Sequence, residues 1–221
     1  MMRWLPEDVS TYGHEIDSLF YLIYYITAAT FILVTVLMIA FLVMYRERPG
    51  RRAIYSHGNT TLEIIWTIIP AAILIVLSFM SVNTWAKIKN TVPPSDFAIQ
   101  INARQFNWDV IYPGADGKLG TDDDIRFDND VHVPVNKVVH LHLTASDVIH
   151  SFFIPNLRFK QDTVPGRTVT GWFEATKPGK YELPCAELCG FGHSGMKGWL
   201  HVYSAEDYAK WAAENLASKQ Q

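Results

Sequence analysis

Two long stretches without a charged side chain constrain this chain more than anything else in it. Residues 19–45 and 64–86 contain no Asp, Glu, Lys or Arg over about 27 and about 23 positions. A helix rises about 1.5 Å per residue, so each stretch is long enough to cross a hydrocarbon layer of roughly 30 Å. The core helix of a soluble protein is the competing explanation, but such helices rarely stay uncharged for that length. A signal peptide is a second competitor for the first stretch. Its flank argues against that, because Glu7, Asp8, Glu15 and Asp17 stand where a signal carries basic residues. The link between the stretches holds Arg46, Arg48, Arg51 and Arg52 against Glu47. By the positive-inside rule this link is cytoplasmic, so both termini and everything after Ala86 lie outside.

Beyond Pro93-Pro94 the pattern changes to short apolar runs rich in β-formers. Strands are expected over 97–101, 105–112, 131–135, 138–144, 168–175, 180–183 and 199–203. In Val139-His140-Leu141-His142-Leu143 the alternation predicts one buried and one wet face. Pro113-Gly114, Pro165-Gly166 and Lys177-Pro178-Gly179 supply turns between the runs. Several short strands in so few residues point to an antiparallel sandwich or barrel. Ser204, with Asp207 three residues on, is placed to cap a final helix through about Ala217. The expected organisation is an α+β membrane protein. Residues 1–95 form a lead, a two-helix transmembrane hairpin and a linker; 96–203 form a β-domain; 204–221 form a helix and tail.

The chemistry is concentrated near the end of the β-domain. Cys185, Cys189, His193 and Met196 bring two thiols, an imidazole and a thioether within a dozen residues, and His150 lies upstream after a strand. Soft sulfur with imidazole suits copper, and a Met thioether is a common weak axial ligand of copper electron-transfer sites. Zinc competes, since two Cys and two His make a tetrahedral set. The spacing is unusual for a zinc finger, however, and Met is a poor zinc ligand. Cys185 and Cys189 are the only cysteines, so an extracytoplasmic disulfide is the third option. It would explain neither His193 nor Met196. The residue types favour copper without closing the choice.

The run Cys185-x3-Cys189-x3-His193-x2-Met196, with Asp147-Val148-Ile149-His150-Ser151-Phe152 upstream, closely resembles the dinuclear copper (CuA) motif of the cytochrome c oxidase subunit II family. The resemblance extends over nearly the whole chain, to about Tyr203. It implies a cupredoxin-like Greek-key β-sandwich behind the membrane hairpin and two copper ions as cofactors. Cys185 and Cys189 would bridge both metals, and His150 and His193 would each complete one. Met196 would be the weak ligand of one copper and the Glu187 backbone carbonyl that of the other. The Glu187 side chain would reach a magnesium or manganese ion at the boundary with subunit I.

The second span opens with Leu62-Glu63-Ile64-Ile65-Trp66, also family-like, which implies that Glu63 lies near the mouth of a proton pathway in subunit I. The implied partners are subunit I and other oxidase subunits, the membrane, and cytochrome c or a cytochrome domain of a partner complex. Haem would be confined to the partner subunit, where oxygen is reduced to water with proton pumping. The implied location is a bacterial cytoplasmic membrane or the mitochondrial inner membrane, with the copper domain on the periplasmic or intermembrane side.

One departure stands out. Many such subunits carry Gln-Trp-x-Trp where this chain has Gln105-Phe106-Asn107-Trp108, so the tryptophan that faces the electron donor is replaced by Phe106. Phe106 and Trp108 remain candidates for receiving electrons, and Gln105 and Asp147 for docking the cytochrome. The acidic loop with Asp116, Asp122, Asp123 and Asp124 is a solvated turn, an attractor of basic cytochrome or a calcium loop, although EF-hand spacing is missing. His140 and His142 share a strand face and suit solvent better than a metal. The net charge of −3 says little about nucleic acid, no basic stripe suggests such binding, and no nucleic-acid partner is expected. No Cys-x-x-Cys-His for covalent haem occurs. Quinol oxidase subunits of this fold lack the copper ligands. A copper-containing nitric oxide reductase subunit and a membrane-anchored copper carrier remain as rival readings.

Overall fold

The computed structural model describes residues 4–52, 55–95 and 97–216. It divides into two compact units, one over residues 15–90 and one joining the segment before it to everything after it. The first unit is almost wholly two helices, α1 (Gly13–Met44) and α2 (Thr60–Asn90), of 32 and 31 residues. Each outruns its uncharged stretch. α1 starts about one and a half turns earlier, taking in Glu15 and Asp17, whose charges suit the positive end of the helix dipole. α2 ends in a turn carrying Lys87 and Lys89, which suit the negative end. Lys87 Nζ also lies 3.3 Å from a Glu15 carboxylate oxygen.

Neither helix buries its apolar side chains within the chain. Several hydroxyls inside them turn back on the helix: Thr27, Thr30, Thr67 and Ser78 each donate to the carbonyl four residues earlier. Such internal satisfaction is what a segment in hydrocarbon requires, and α2 also tolerates Pro70 within its length.

Among the described residues the second unit is built on ten strands: β1 (Ala98–Arg104), β2 (Asn107–Tyr112), β3 (Ile125–Asp128), β4 (Asp130–Pro134), β5 (Val138–Ala145), β6 (His150–Ile154), β7 (Phe159–Thr163), β8 (Val169–Glu174), β9 (Gly179–Pro184) and β10 (Lys197–Tyr203). They form a five-stranded sheet in the order β3-β2-β1-β5-β8, a three-stranded sheet β4-β10-β9 and a β6-β7 pair. The sandwich is mixed rather than antiparallel throughout, because β1 runs parallel to β5 and β10 parallel to β4. The chain crosses to the second sheet as β4 and returns beside β1 as β5, a route that makes neighbours of strands far apart in sequence.

Inward positions alternate as the pleat demands. Ile99, Ile101 and Ala103 of β1 and Val139, Leu141 and Leu143 of β5 face one core, and His140 and His142 fall on the half-exposed face. His140 is not idle there, since its Nε2 lies 2.8 Å from the Pro93 carbonyl. α3 (Ala205–Asn215) follows the last strand, with Ser204 Oγ accepting from the Asp207 N–H at 3.1 Å as the capping pattern predicts. Ala217, the expected end of that helix, lies outside the described residues.

The lead before α1 packs on the β-domain rather than standing apart as a polar extension. Val9 is buried, its N–H donates to the Asn156 carbonyl at 2.9 Å, and its carbonyl accepts from Thr176 at 2.8 Å. Ser10 bridges Ala175, and Tyr12 packs edge-on against Trp172. A short segment this polar is held because its backbone groups find partners, which composition does not reveal. Val9→Ala should therefore destabilise the β-domain by about 1–2 kcal/mol. Urea unfolding followed by tryptophan fluorescence on the full chain in detergent would measure the change.

Candidate metal centre

The connection from β9 to β10 carries most of the candidate ligands, and its ends are pinned. The Cys185 N–H donates to the Met196 carbonyl at 3.0 Å, closing the loop at its base. The Ala186 N–H donates to the Ser151 carbonyl at 3.0 Å, and Phe152 bridges Cys185, which ties the loop to β6 where His150 stands. Inside the loop a 3-10 turn, His193–Gly195, aims the second imidazole inward. Gly190 holds φ at +140°, a conformation that L side chains rarely adopt, and a Cβ there would run into Gln105 and Phe106.

The structure brings the sequence-predicted ligands together. Cys185 Sγ lies 3.9 Å from Cys189 Sγ and 3.3 Å from the Glu187 carbonyl oxygen. Cys189 Sγ lies 3.6 Å from His193 Nδ1 and 3.8 Å from Met196 Sδ. His150 Nδ1 lies 3.2 Å from Met196 Sδ. His150 and Met196 are buried almost completely, Cys185 and Cys189 nearly so, and His193 is half-exposed. Both cysteines are free thiols.

Burial, with Cys185 alongside, pushes the Cys189 thiol up to about 11. A buried thiol held in its neutral form among other donors becomes a strong ligand only when a cation takes the place of the proton. Two sulfurs, two imidazoles, a thioether and a carbonyl oxygen exceed what a tetrahedral zinc site uses and fit the soft and borderline donors that copper takes.

Around these donors stand the other predicted residues. Asp147 Oδ1 lies 2.8 Å from His150 Nε2, and the same side chain accepts from the Val148 N–H at 2.7 Å and the Gln105 N–H at 2.7 Å. Burial opposes ionisation of Asp147, but these hydrogen bonds outweigh it and hold the carboxyl below its ordinary range. The Gln105 amide donates to the Cys189 carbonyl. Phe106 is exposed and its ring lies over Gly190 and Gly192, whereas Trp108 is buried edge-on to His150 and Phe152. The Glu187 side chain is exposed. Glu63 lies in the first turn of α2, in the other unit.

Another cluster appears that no motif announced. Asp130, His132 and His201 gather across β4 and β10, where His132 and His201 are register partners. The His132 ring is stacked between His201 at 4.7 Å and Trp211 at 4.3 Å, nearly parallel to both. A metal must lie in the plane of each imidazole it binds, so two stacked rings cannot share one ion. Burial, then the neighbouring His201, lowers His132 to about 4, which keeps the stack uncharged at its centre. In the acidic loop Asp116, Asp123 and one oxygen of Asp124 accept from Lys118, Thr121 and Gly120 within the turn.

Comparison with known proteins shows the family. The family model described as the periplasmic domain of cytochrome c oxidase subunit II matches residues 99–202, and that of its transmembrane domain matches residues 2–84. Cytochrome c oxidase subunit 2 of Thermostichus vulcanus is 30% identical, with the match covering 96% of this chain and 79% of that protein. A probable cytochrome c oxidase subunit 2 of Rickettsia bellii is 34% identical over 86% of this chain and 75% of its own length. Among solved structures, the periplasmic domain of subunit II of cytochrome oxidase (CoxB) of Bradyrhizobium japonicum aligns with a TM-score of 0.52 at 33% identity, covering 59% of this chain and all of that one. The hairpin of apolar helices, the sandwich and the sequence matches to both parts agree, and the chain belongs to the cytochrome c oxidase subunit II family.

Proposed function

We propose that this chain is the electron-receiving subunit of a respiratory haem–copper oxidase, holding two copper ions between Cys185 and Met196 and passing electrons from a cytochrome c to haem in subunit I. The observation that carries this is the convergence of two free buried thiols, two imidazoles, a thioether and the Glu187 carbonyl at one place. Cys185, Cys189, His150 and His193 would be the principal ligands of the metal pair. Met196 and the Glu187 carbonyl would be its weaker ligands. When bound, the metal pair supplies a one-electron couple whose charge is spread over two thiolates.

The protein's share is to keep the donors still and dry. The loop base pinned at Cys185–Met196, the tie to Ser151 and the burial of His150 and Met196 leave the donors little freedom to move when the charge changes.

The surroundings support two docking faces. Leu188 and Phe191 project almost fully into solvent from the ligand loop, an arrangement that suits an apolar protein partner. Subunit I is assigned there, with the exposed Glu187 carboxylate available to a magnesium or manganese ion at that boundary. Phe106, Val148 and Ile149 form an exposed apolar rim beside Gln105 and Asp147, the face assigned to the cytochrome. The arginines after α1 support a cytoplasmic link, which leaves the β-domain and both termini on the periplasmic or intermembrane side. Glu63, exposed at the start of α2, is assigned to proton uptake into subunit I.

The full chain purified in detergent and loaded with copper should hold about two coppers and show a purple mixed-valence spectrum. Cys185→Ser and Cys189→Ser should each abolish that spectrum. A single reversibly held ion would overturn the assignment in favour of a copper carrier. In the assembled oxidase, Glu63→Gln should slow oxygen consumption severalfold while copper content and spectrum stay unchanged; unaltered turnover removes the proton-uptake role.

A further inference from the structure

We infer that Gln105 and Asp147 form a clasp that positions the copper ligands, with Asp147 selecting the ring nitrogen through which His150 binds metal. The inference rests on the copper-site reading and adds residues that hold no metal themselves.

A carboxylate can only accept a hydrogen bond, so the 2.8 Å contact between Asp147 Oδ1 and His150 Nε2 requires the proton on Nε2. The lone pair of the neutral ring is then on Nδ1, and Nδ1 is the nitrogen that faces Met196 Sδ at 3.2 Å. His150 has no contact with solvent through which to choose otherwise. A ligating histidine whose other N–H is held by a carboxylate is fixed in tautomer and orientation and becomes a stronger donor.

Asp147 is itself fixed. Its second oxygen accepts from the Gln105 backbone N–H at 2.7 Å, and its first also accepts from Val148. Gln105 then reaches the other ligand segment, since its side-chain amide donates to the carbonyl of Cys189. One residue in the turn between β1 and β2 therefore holds the His150 side through its main chain and the Cys189 side through its side chain. Phe106 extends the same turn over the loop. Its ring covers Gly190 and Gly192 so closely that a Cβ on either glycine would meet it. Glycine at both positions lets the turn sit directly on the ligand loop.

The test uses the full-length chain with copper added, without any electron donor, so that docking effects cannot enter. Asp147→Ala should weaken copper binding about 10–100-fold in competition with a chelator. It should also change the visible and paramagnetic-resonance spectra and raise the reduction potential. Asp147→Asn keeps an acceptor oxygen and should restore most of the native spectrum. Gln105→Ala, at an exposed position, should weaken binding in the same direction, and with Asp147→Ala the losses should fall short of additive because both residues serve one clasp. Native affinity and spectrum in Asp147→Ala and Gln105→Ala, an Asn variant as altered as the Ala variant, or strictly additive losses would each overturn the inference. Failure of the unaltered chain to hold two coppers would instead overturn the copper-site reading, so the two failures are distinguishable.

Discussion

The hydrogen bond from the Cys185 N–H to the Met196 carbonyl is the constraint on which the site depends. It continues the β9–β10 ladder by one step beyond Pro184 and Lys197, which are register partners. The two ends of a twelve-residue loop are thereby fixed at strand spacing, with a candidate ligand at each end. What lies between has few ways to close, and three short internal bonds, His193 to Gly190, Gly195 to Gly192 and Met196 to His193, use up most of that freedom. Preorganisation comes from the sheet. The ligands inherit their relative positions from a ladder that the core holds in register, and the core in turn rests on side chains such as Leu183 and Leu200 that no solvent reaches.

The same logic explains which parts could be read in advance. Cys185, Cys189, His193 and Met196 are legible because the loop is local and its spacing survives as a pattern. His150 lies far off in sequence and joins the site only through β6, a strand absent from the expected set. β6 was hidden because it is buried on both faces, so His150–Ile154 shows no alternation. β7 is hidden for the opposite reason: Phe159–Thr163 is mostly polar and is held by pairing with β6. β3 is four residues in an acidic segment whose chemistry resembles a turn. The two parallel pairings were out of reach as well, since alternation describes a strand's faces and not its neighbours.

The residues around the ligands illustrate a different limit. Asp147 precedes His150 by three positions, and that pattern names a docking surface as readily as a second-layer partner. The 2.8 Å contact with Nε2 is what supports the second role. Gln105 is further from legibility, because its side chain addresses a backbone carbonyl and carbonyls leave no trace in composition. The histidines behave in reverse. His132 and His201 gather with Asp130 as metal ligands often do, and the parallel stacking of their rings with Trp211 makes them packing elements.

The substitution of Phe106 for the family's usual tryptophan takes on a physical meaning against this background. The ring lies against the backbone at Gly190 and Gly192, so its inner face is already committed to the ligand loop. A larger indole in that place would have to project further outward. Phenylalanine has no N–H to offer and is harder to oxidise, so a ring of this kind serves contact and closure better than it serves as a relay. The buried Trp108, edge-on to His150, is equally a packing partner of the site. Both aromatics thus have sufficient reason to be where they are in the mechanics of the loop.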